Sequence, residues 1–348
     1  MEMQTNGLIP ELPTMEVTAS MFVDARAAEE LSNEAYHEDE TYITGSSLWT
    51  IFSKCPAAWR FQKAQEAKAK KLNSAQKPLT FGTTSHTMLL EPDRFQREFF
   101  RLPNPDDFPE LITSMKGMEK WLKDRGQKGY SSKTAAELVA MCREIQQPDE
   151  VLNIWHEIED QAIKEAAGRE IVPAKDWDRV HSMRDVLLAN HNYRRIIETG
   201  VPELSIFCII DGVPVKVRLD RVTDLGEIID YKTTQSAEPE KFGRLAHDLG
   251  YWCKMALQHD CFQLCYQQNP TGTKLLVQEK DEPWLAIMNR LTPEQLMIGR
   301  GQYKTALQLY KQCRDLDIWP AYANGQEEID LRTPVYLQQR YKEYFKEI

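Results

Sequence analysis

The chain has 348 residues, 42% hydrophobic and 28% charged, the proportions of an ordinary globular protein of one large domain or two small ones. Its net charge of −10 excludes nucleic-acid binding over the whole surface, while leaving room for a local basic channel on an acidic body. No apolar run approaches the roughly 18–20 residues of a membrane span, and no basic start leads into an apolar stretch, so a cytoplasmic protein without a membrane segment is expected.

Residues 1–35 hold turn formers and no sustained period, and read as a flexible arm with a short helix over 20–35. A single domain over 36–348 is expected to follow. Ser46 and Ser47 open a helix carrying Leu48, Ile51 and Phe52, and Trp59 and Phe61 are expected to close its apolar face. The run from Lys63 to Lys77 is basic, and Lys68 and Lys71 within it are candidate DNA contacts. FGTTSHTMLLEPDRF (81–95) reads as a helix over 83–90 that stops before Pro92. Loops with short helices are expected over 100–135, and a helical pattern over 133–198.

The period changes at Glu203. Residues 204–210 are β-rich, and Asp211-Gly212 is a hairpin signal. From Val213 to Val222 the chain alternates, with Val215, Val217 and Leu219 on one face and Lys216, Arg218 and Asp220 on the other. A turn at 223–226 leads to a third strand ending near Thr233. Helical pattern returns over 242–263, strands are expected at 275–278 and 284–288, and Thr292-Pro293 opens a long helix to about Cys313. The fold class is therefore α/β or α+β, a central mixed sheet with an antiparallel meander flanked by helices.

The seven cysteines are odd in number and contain no CxxC pair, which disfavours disulfides and a standard zinc site. Cys253, Cys261 and Cys265 match no common iron–sulfur spacing. The chemistry lies in RLDRV (218–222) and IIDYKTT (228–234). Asp230 and Lys232 are two apart on a strand and share a face. A turn at 223–226 would bring Asp220 to them. Two carboxylates and an ammonium suit phosphodiester hydrolysis: hard oxygen ligands hold Mg²⁺, and a lysine orients the attacking water. Asp220 and Asp230 are the candidate metal ligands, with the backbone carbonyl of Tyr231 as a further one. Lys232 positions the nucleophile, and Glu203 could reach a second metal. An exposed ion pair would give the same Asp-X-Lys pattern, but Ile228, Ile229 and Val217 mark a buried strand, where charges need a partner or a metal. His86, on its helix, is either a packed histidine or a ligand.

FGTTSHTMLLEPDRF, ELSIF (203–207), VKVRLDRV (215–222) and IIDYKTT (228–234), in this order, resemble the RecE or exonuclease VIII branch of the PD-(D/E)XK nucleases. So do residues 36–59, VQEKDEPW (277–284) and WPAY (319–322), and together the resemblance spans about 36–325. It implies a Mg²⁺-dependent exodeoxyribonuclease, with Mn²⁺ as a substitute, that degrades linear double-stranded DNA 5′ to 3′. It also implies 3′ single-stranded tails for a RecT-like annealing protein, a homo-oligomeric ring, and a phage or prophage origin in a bacterial host. By motif match His86 becomes a metal contact, Glu203 and Asp220 the acidic residues, and Asp230 with Lys232 the signature pair. The sequence departs from the family on the following helix: Tyr251 matches, but Lys254 stands where Gln is expected and Gln258 where an aromatic is expected. Lys254, Tyr251 and Arg218 are candidate DNA contacts. A DNA-end-binding or host-inhibitory protein of this fold, or an endonuclease of it, are the competing expectations.

Overall fold

Alternation over 201–234 builds the centre of the molecule. The computed structural model describes residues 24–26, 31–71 and 81–347. The expectations for residues 1–23 and 27–30, and for the basic run over 72–77, lie outside the described residues, as do the side chains of Lys70 and Lys71.

In chain order the first half comprises β1 (Asp24–Arg26), α1 (Asn33–Glu38), β2 (Ile43–Thr44), α2 (Gly45–Ser53), α3 (Pro56–Lys71), α4 (Phe81–Leu90), α5 (Pro92–Glu98) and β3 (Phe99–Arg101). Then come α6 (Met115–Asp124), α7 (Ala135–Ile145), α8 (Trp155–Ala166), β4 (Glu170–Val172), α9 (Ala174–Ala189) and α10 (His191–Glu198). The second half comprises β5 (Val201–Ile210), β6 (Val213–Val222), β7 (Glu227–Thr234), α11 (Pro239–Asp248), α12 (Tyr251–Tyr266), β8 (Gly272–Glu279), β9 (Ala286–Arg290), α13 (Pro293–Leu316) and α14 (Val335–Arg340). Within 20–35, where a short helix is expected, the described residues Asp24–Arg26 form strand β1, which pairs antiparallel with β5, and α1 begins at Asn33.

The sheet runs β1-β5-β6-β7-β8-β9, with β2 added beside β6. It is mixed, as expected. The β5–β6 hairpin turns at Asp211 and Gly212, both at positive φ (50° and 78°), the geometry of a two-residue turn matched to strand twist. β7 and β8 are parallel, so the chain needs a crossover, and α11 with α12 supply it.

Helices cover both faces. One face of β5 and β6 (Leu204, Ile206, Cys208, Val215, Val217, Leu219) packs with Leu48 and Ile51 of α2, with α12, and with Tyr303 and Leu307 of α13. On the other face Leu89 and Leu90 of α4 and Leu187 of α9 pack on Ile229, Tyr231 and Leu276. α12 is buried over most of its circumference because it lies between the sheet and α13. Its buried Asp260 is satisfied by Arg300, whose Nε donates at 2.7 Å, and by the Tyr303 hydroxyl.

The helical pattern over 242–263 is broken in two. Gly250 sits at φ 70°, and a Cβ there would fall 2.1 Å from the Trp49 ring, so the chain turns there and α12 starts afresh. Phe61, expected to close the face of α2, instead lies 66% exposed on a separate helix, α3.

Candidate metal centre

The site forms where two strands stop pairing. β6 has ten residues and β7 eight, yet their register contains only Arg221↔Ile229 and Val222↔Ile228. Further along, the same edge of β6 pairs with β2 instead, at Val215 and Lys216. Asp220 sits in the fork between these two pairings. Its Oδ2 accepts the backbone N–H of Tyr231 at 2.8 Å and so replaces a ladder bond.

Glu203 is aligned with Asp220 across the β5–β6 ladder, between the pairs Pro202↔Arg221 and Leu204↔Leu219. Its backbone is left-handed, at φ 51°. A non-glycine residue in that region is strained, and such residues cluster at functional sites. Beyond this point the ladder changes face: Leu219 packs in the core, whereas the Arg221 guanidinium donates to Thr199 O (2.8 Å) and Leu90 O (3.2 Å). The Arg221 bond to the end of α4 helps seat the helix that carries His86.

His86 lies between the two acids. Its Nε2 is 2.8 Å from Asp220 Oδ2, and its Nδ1 is 3.5 Å from Glu203 Oε1. One ligand atom from each of His86, Glu203 and Asp220 lies within 4.8 Å of the others. Lys232 Nζ is 3.8 Å from Asp220 Oδ2, pairs closely with Asp230, and donates to the Tyr231 carbonyl at 3.1 Å. The cluster opens to solvent through His86 and Lys232, whose side chains are 28% and 25% exposed, while Glu203 and Asp230 are 9% exposed.

Each charge in the cluster acts on its neighbours. Burial disfavours the His86 cation, but the Asp220 carboxylate outweighs it and lifts the imidazole to about 9. Burial disfavours the Asp220 anion too, and His86 and Lys232 reverse that, holding the carboxyl at about 2. Burial lifts Glu203 to about 7, with His86 opposing and Asp220 adding to the rise. Burial and the Asp220 charge push Asp230 up, and Asp230 and Asp220 overcome the burial of Lys232 to push the ammonium up.

The donor set fits a divalent cation. Glu203 Oε1 is buried and accepts no hydrogen bond. Two carboxylates and an imidazole converge on one point, which an oxygen-seeking cation with one nitrogen ligand would satisfy. His86, Glu203 and Asp220 would hold it. Asp230, the other expected ligand, pairs with Lys232 and lies 3.5 Å from the Gln258 amide, and the Tyr231 carbonyl accepts from Lys232.

The candidate DNA contacts divide. Tyr251 and Lys254 border the site: the Lys232 and Lys254 ammoniums lie 5.6 and 5.4 Å from the Tyr251 ring centroid. Lys68 is exposed on α3. Arg218 turns inward. Its Nε donates to Ser205 Oγ at 2.9 Å, its Nη1 to Asn33 Oδ1 at 3.3 Å and its Nη2 to Leu31 O at 3.1 Å, and it lies over Tyr36 and 3.9 Å from Glu203. It thus fastens residues 31–36 to the site rather than reaching a ligand.

Gln258 is the residue the sequence reading undervalued. Its amide bridges Asp230 Oδ1 and the Arg218 carbonyl (3.4 Å). The signal was present: Tyr251, Lys254 and Gln258 are spaced i, i+3, i+7 and share one helix face.

Among the described residues no helix is long and apolar enough to cross a membrane. No curated protein matches the sequence. A solved structure of a candidate exonuclease from Eubacterium rectale is similar over 76% of this chain and 98% of its own, at 12% identity and a TM-score of 0.38. The family model for a PDDEXK-like domain of unknown function, DUF3799, matches residues 45–332, which include every residue of the cluster. The chain therefore belongs to this PDDEXK-like family, within the nuclease superfamily whose members generally use divalent metals.

Proposed function

We propose that the protein is a Mg²⁺-dependent exodeoxyribonuclease that degrades linear double-stranded DNA 5′ to 3′. Its product would be 3′ single-stranded tails for strand-annealing recombination in a phage-carrying bacterial cytoplasm. The observation that supports catalysis is the convergence of His86, Glu203 and Asp220 beside the Asp230–Lys232 pair, in the fork between β6 and β7. Polarity, the annealing partner and a ring-shaped homo-oligomer rest on the sequence resemblance alone.

In this reading His86, Glu203 and Asp220 bind the cation, and Asp220 also fixes the β7 backbone through Tyr231 N–H. A divalent cation held by these residues would polarise the phosphoryl oxygen and acidify a water. Asp230 holds the Lys232 ammonium at the mouth of the site, and Gln258 holds Asp230. From there Lys232 donates to the attacking water and offsets charge gathering on the phosphoryl oxygens.

A substrate panel tests the reading. Linear duplex, nicked circles and covalently closed circles are incubated with Mg²⁺ and either wild type or Lys232→Ala. Loss of the linear duplex alone, abolished by the substitution, is expected. Cutting of closed circles would make the protein an endonuclease of this fold, and no Mg²⁺-dependent cleavage of any substrate would remove both nuclease readings.

A further inference from the structure

The C-terminal end of β7 is flanked by a second cation–aromatic cluster that the catalytic set does not use. Phe81, the first residue of α4, has the Arg179 guanidinium 5.2 Å and the Lys280 ammonium 5.9 Å from its ring centroid. Arg179 comes from α9, and Lys280 from the residue after β8. These three were unremarkable in sequence, being separated by roughly a hundred positions each.

Their place is set by the backbone. The Lys280 N–H donates to Thr234 O at 2.9 Å, two residues past Lys232 on β7, about 7 Å along the strand. Phe81 precedes His86 by five residues, about 7.5 Å along the α4 axis. The cluster therefore lies beside the catalytic opening, roughly two nucleotides of a B-form strand away. It is on the α4 side of the sheet. Tyr251, with Lys232 and Lys254, lies at the start of α12, on the opposite side.

The energetics call for an anion. Two cations drawn to one ring repel each other, and the ring returns only about 0.5–1 kcal/mol each at exposed sites. Arg179 has Asp176 at 3.9 Å, a loose pair, and Lys280 has no ion-pair partner among the described residues. On a chain of net charge −10, two cations without a close ion pair beside the candidate site would attract a phosphate.

We infer that Arg179 and Lys280, both drawn to the Phe81 ring, form a phosphate-binding subsite for the nucleic-acid strand that carries the scissile bond. The strand crosses the end of β7 from Lys254 on the α12 side to Arg179 and Lys280 on the α4 side. Phe81 is a positioning residue. The inference rests on the nuclease reading for its substrate but not for its test.

Binding of a fluorescein-labelled single-stranded oligodeoxynucleotide is measured by anisotropy in EDTA over a salt series. Wild type is compared with the Arg179→Ala/Lys280→Ala double variant, the charge-keeping Arg179→Lys/Lys280→Arg variant, Phe81→Leu, and Lys304→Ala as a distant exposed control. Thermal melts check that each variant folds. The double alanine variant is expected to bind about tenfold or more weakly, with the salt slope reduced by about 1.4, two contacts at 0.7 each. The charge-keeping variant retains most of the affinity, Phe81→Leu loses part of it, and Lys304→Ala matches wild type. An unchanged slope in the folded double variant overturns the subsite, as does wild type that does not bind. Because no cleavage is read, a protein that binds as expected but never cuts would retain the subsite and lose the nuclease reading. One that cuts with unaltered binding in the double variant would do the reverse.

Discussion

Asp220 Oδ2 accepts the Tyr231 N–H at 2.8 Å at the point where β6 and β7 have parted. A side chain thus does the work of a strand ladder, and the same oxygen is 2.8 Å from His86 Nε2. Fold and site share one atom. Asp220→Asn keeps an acceptor for Tyr231 and Asp220→Leu does not. Both are expected to abolish cleavage, but only the leucine variant should also lose about 1–3 kcal/mol for a buried N–H without a partner. Denaturant unfolding of the two variants separates the roles. Equal stability would show that the bond to Tyr231 does not matter to the fold.

Glu203 is expensive to the metal-free protein twice over, through its left-handed backbone and its buried carboxylate oxygen, which accepts no hydrogen bond. Glu203→Gly removes both. In EDTA its melting temperature should rise, with backbone relief alone contributing about 1–3 kcal/mol. Cleavage should fall about 100-fold or more, as for loss of a group on a metal site. A lower melting temperature in EDTA would show that Glu203 stabilises the fold instead.

The pH dependence of the metal-free fold follows from the same cluster. His86 is lifted to about 9, so its contribution is complete below its unfolded value of about 6.5 and is lost as pH rises through 9. Glu203, lifted to about 7, loses stability in the same direction, between its unfolded value of about 4.3 and 7. Asp220, held at about 2, contributes above its unfolded value of about 3.9 and fails only in strong acid. Melting temperature in EDTA should therefore fall between pH 6 and 9, by about 1.5 °C per kcal/mol for a domain of this size. Mg²⁺ should flatten that fall, because a ligating imidazole must be neutral. Parallel curves with and without Mg²⁺ would argue against His86 as a ligand.

Gln258 reaches Asp230 from α12 and touches no reacting atom. Gln258→Leu should lower kcat by about 10-fold with KM unchanged, in the range seen when an outer-shell partner of a metal site is lost. Gln258→Glu should be no better, since a second carboxylate faces Asp230. A rise in KM with kcat intact would reassign Gln258 to substrate binding.

Much of this was readable from residue order. Alternation over 213–222, the Asp211-Gly212 turn and the two-residue spacing of Asp230 and Lys232 each predict a local geometry, and the strands formed as expected. Three features were not readable. The fork at Asp220 depends on β2 and β7 competing for one edge of β6, which is a matter of tertiary pairing. The left-handed turn at Glu203 runs against its residue type. The inward lock of Arg218 depends on residues 31–36, nearly two hundred positions away. Alternation alone puts Arg218 and Asp220 on one face as equals, and only the fold shows that one braces the site while the other lies in it.

The most direct test of the account is the fate of a linear duplex labelled at either the 5′ or the 3′ end, incubated with wild type or Asp220→Asn in Mg²⁺ and in EDTA. Early release of the 5′ label is expected, with the 3′-labelled strand shortening progressively from its other end. This should occur only with wild type and only with Mg²⁺. Cleavage by Asp220→Asn at the wild-type rate, or no Mg²⁺-dependent release by either protein, would contradict it.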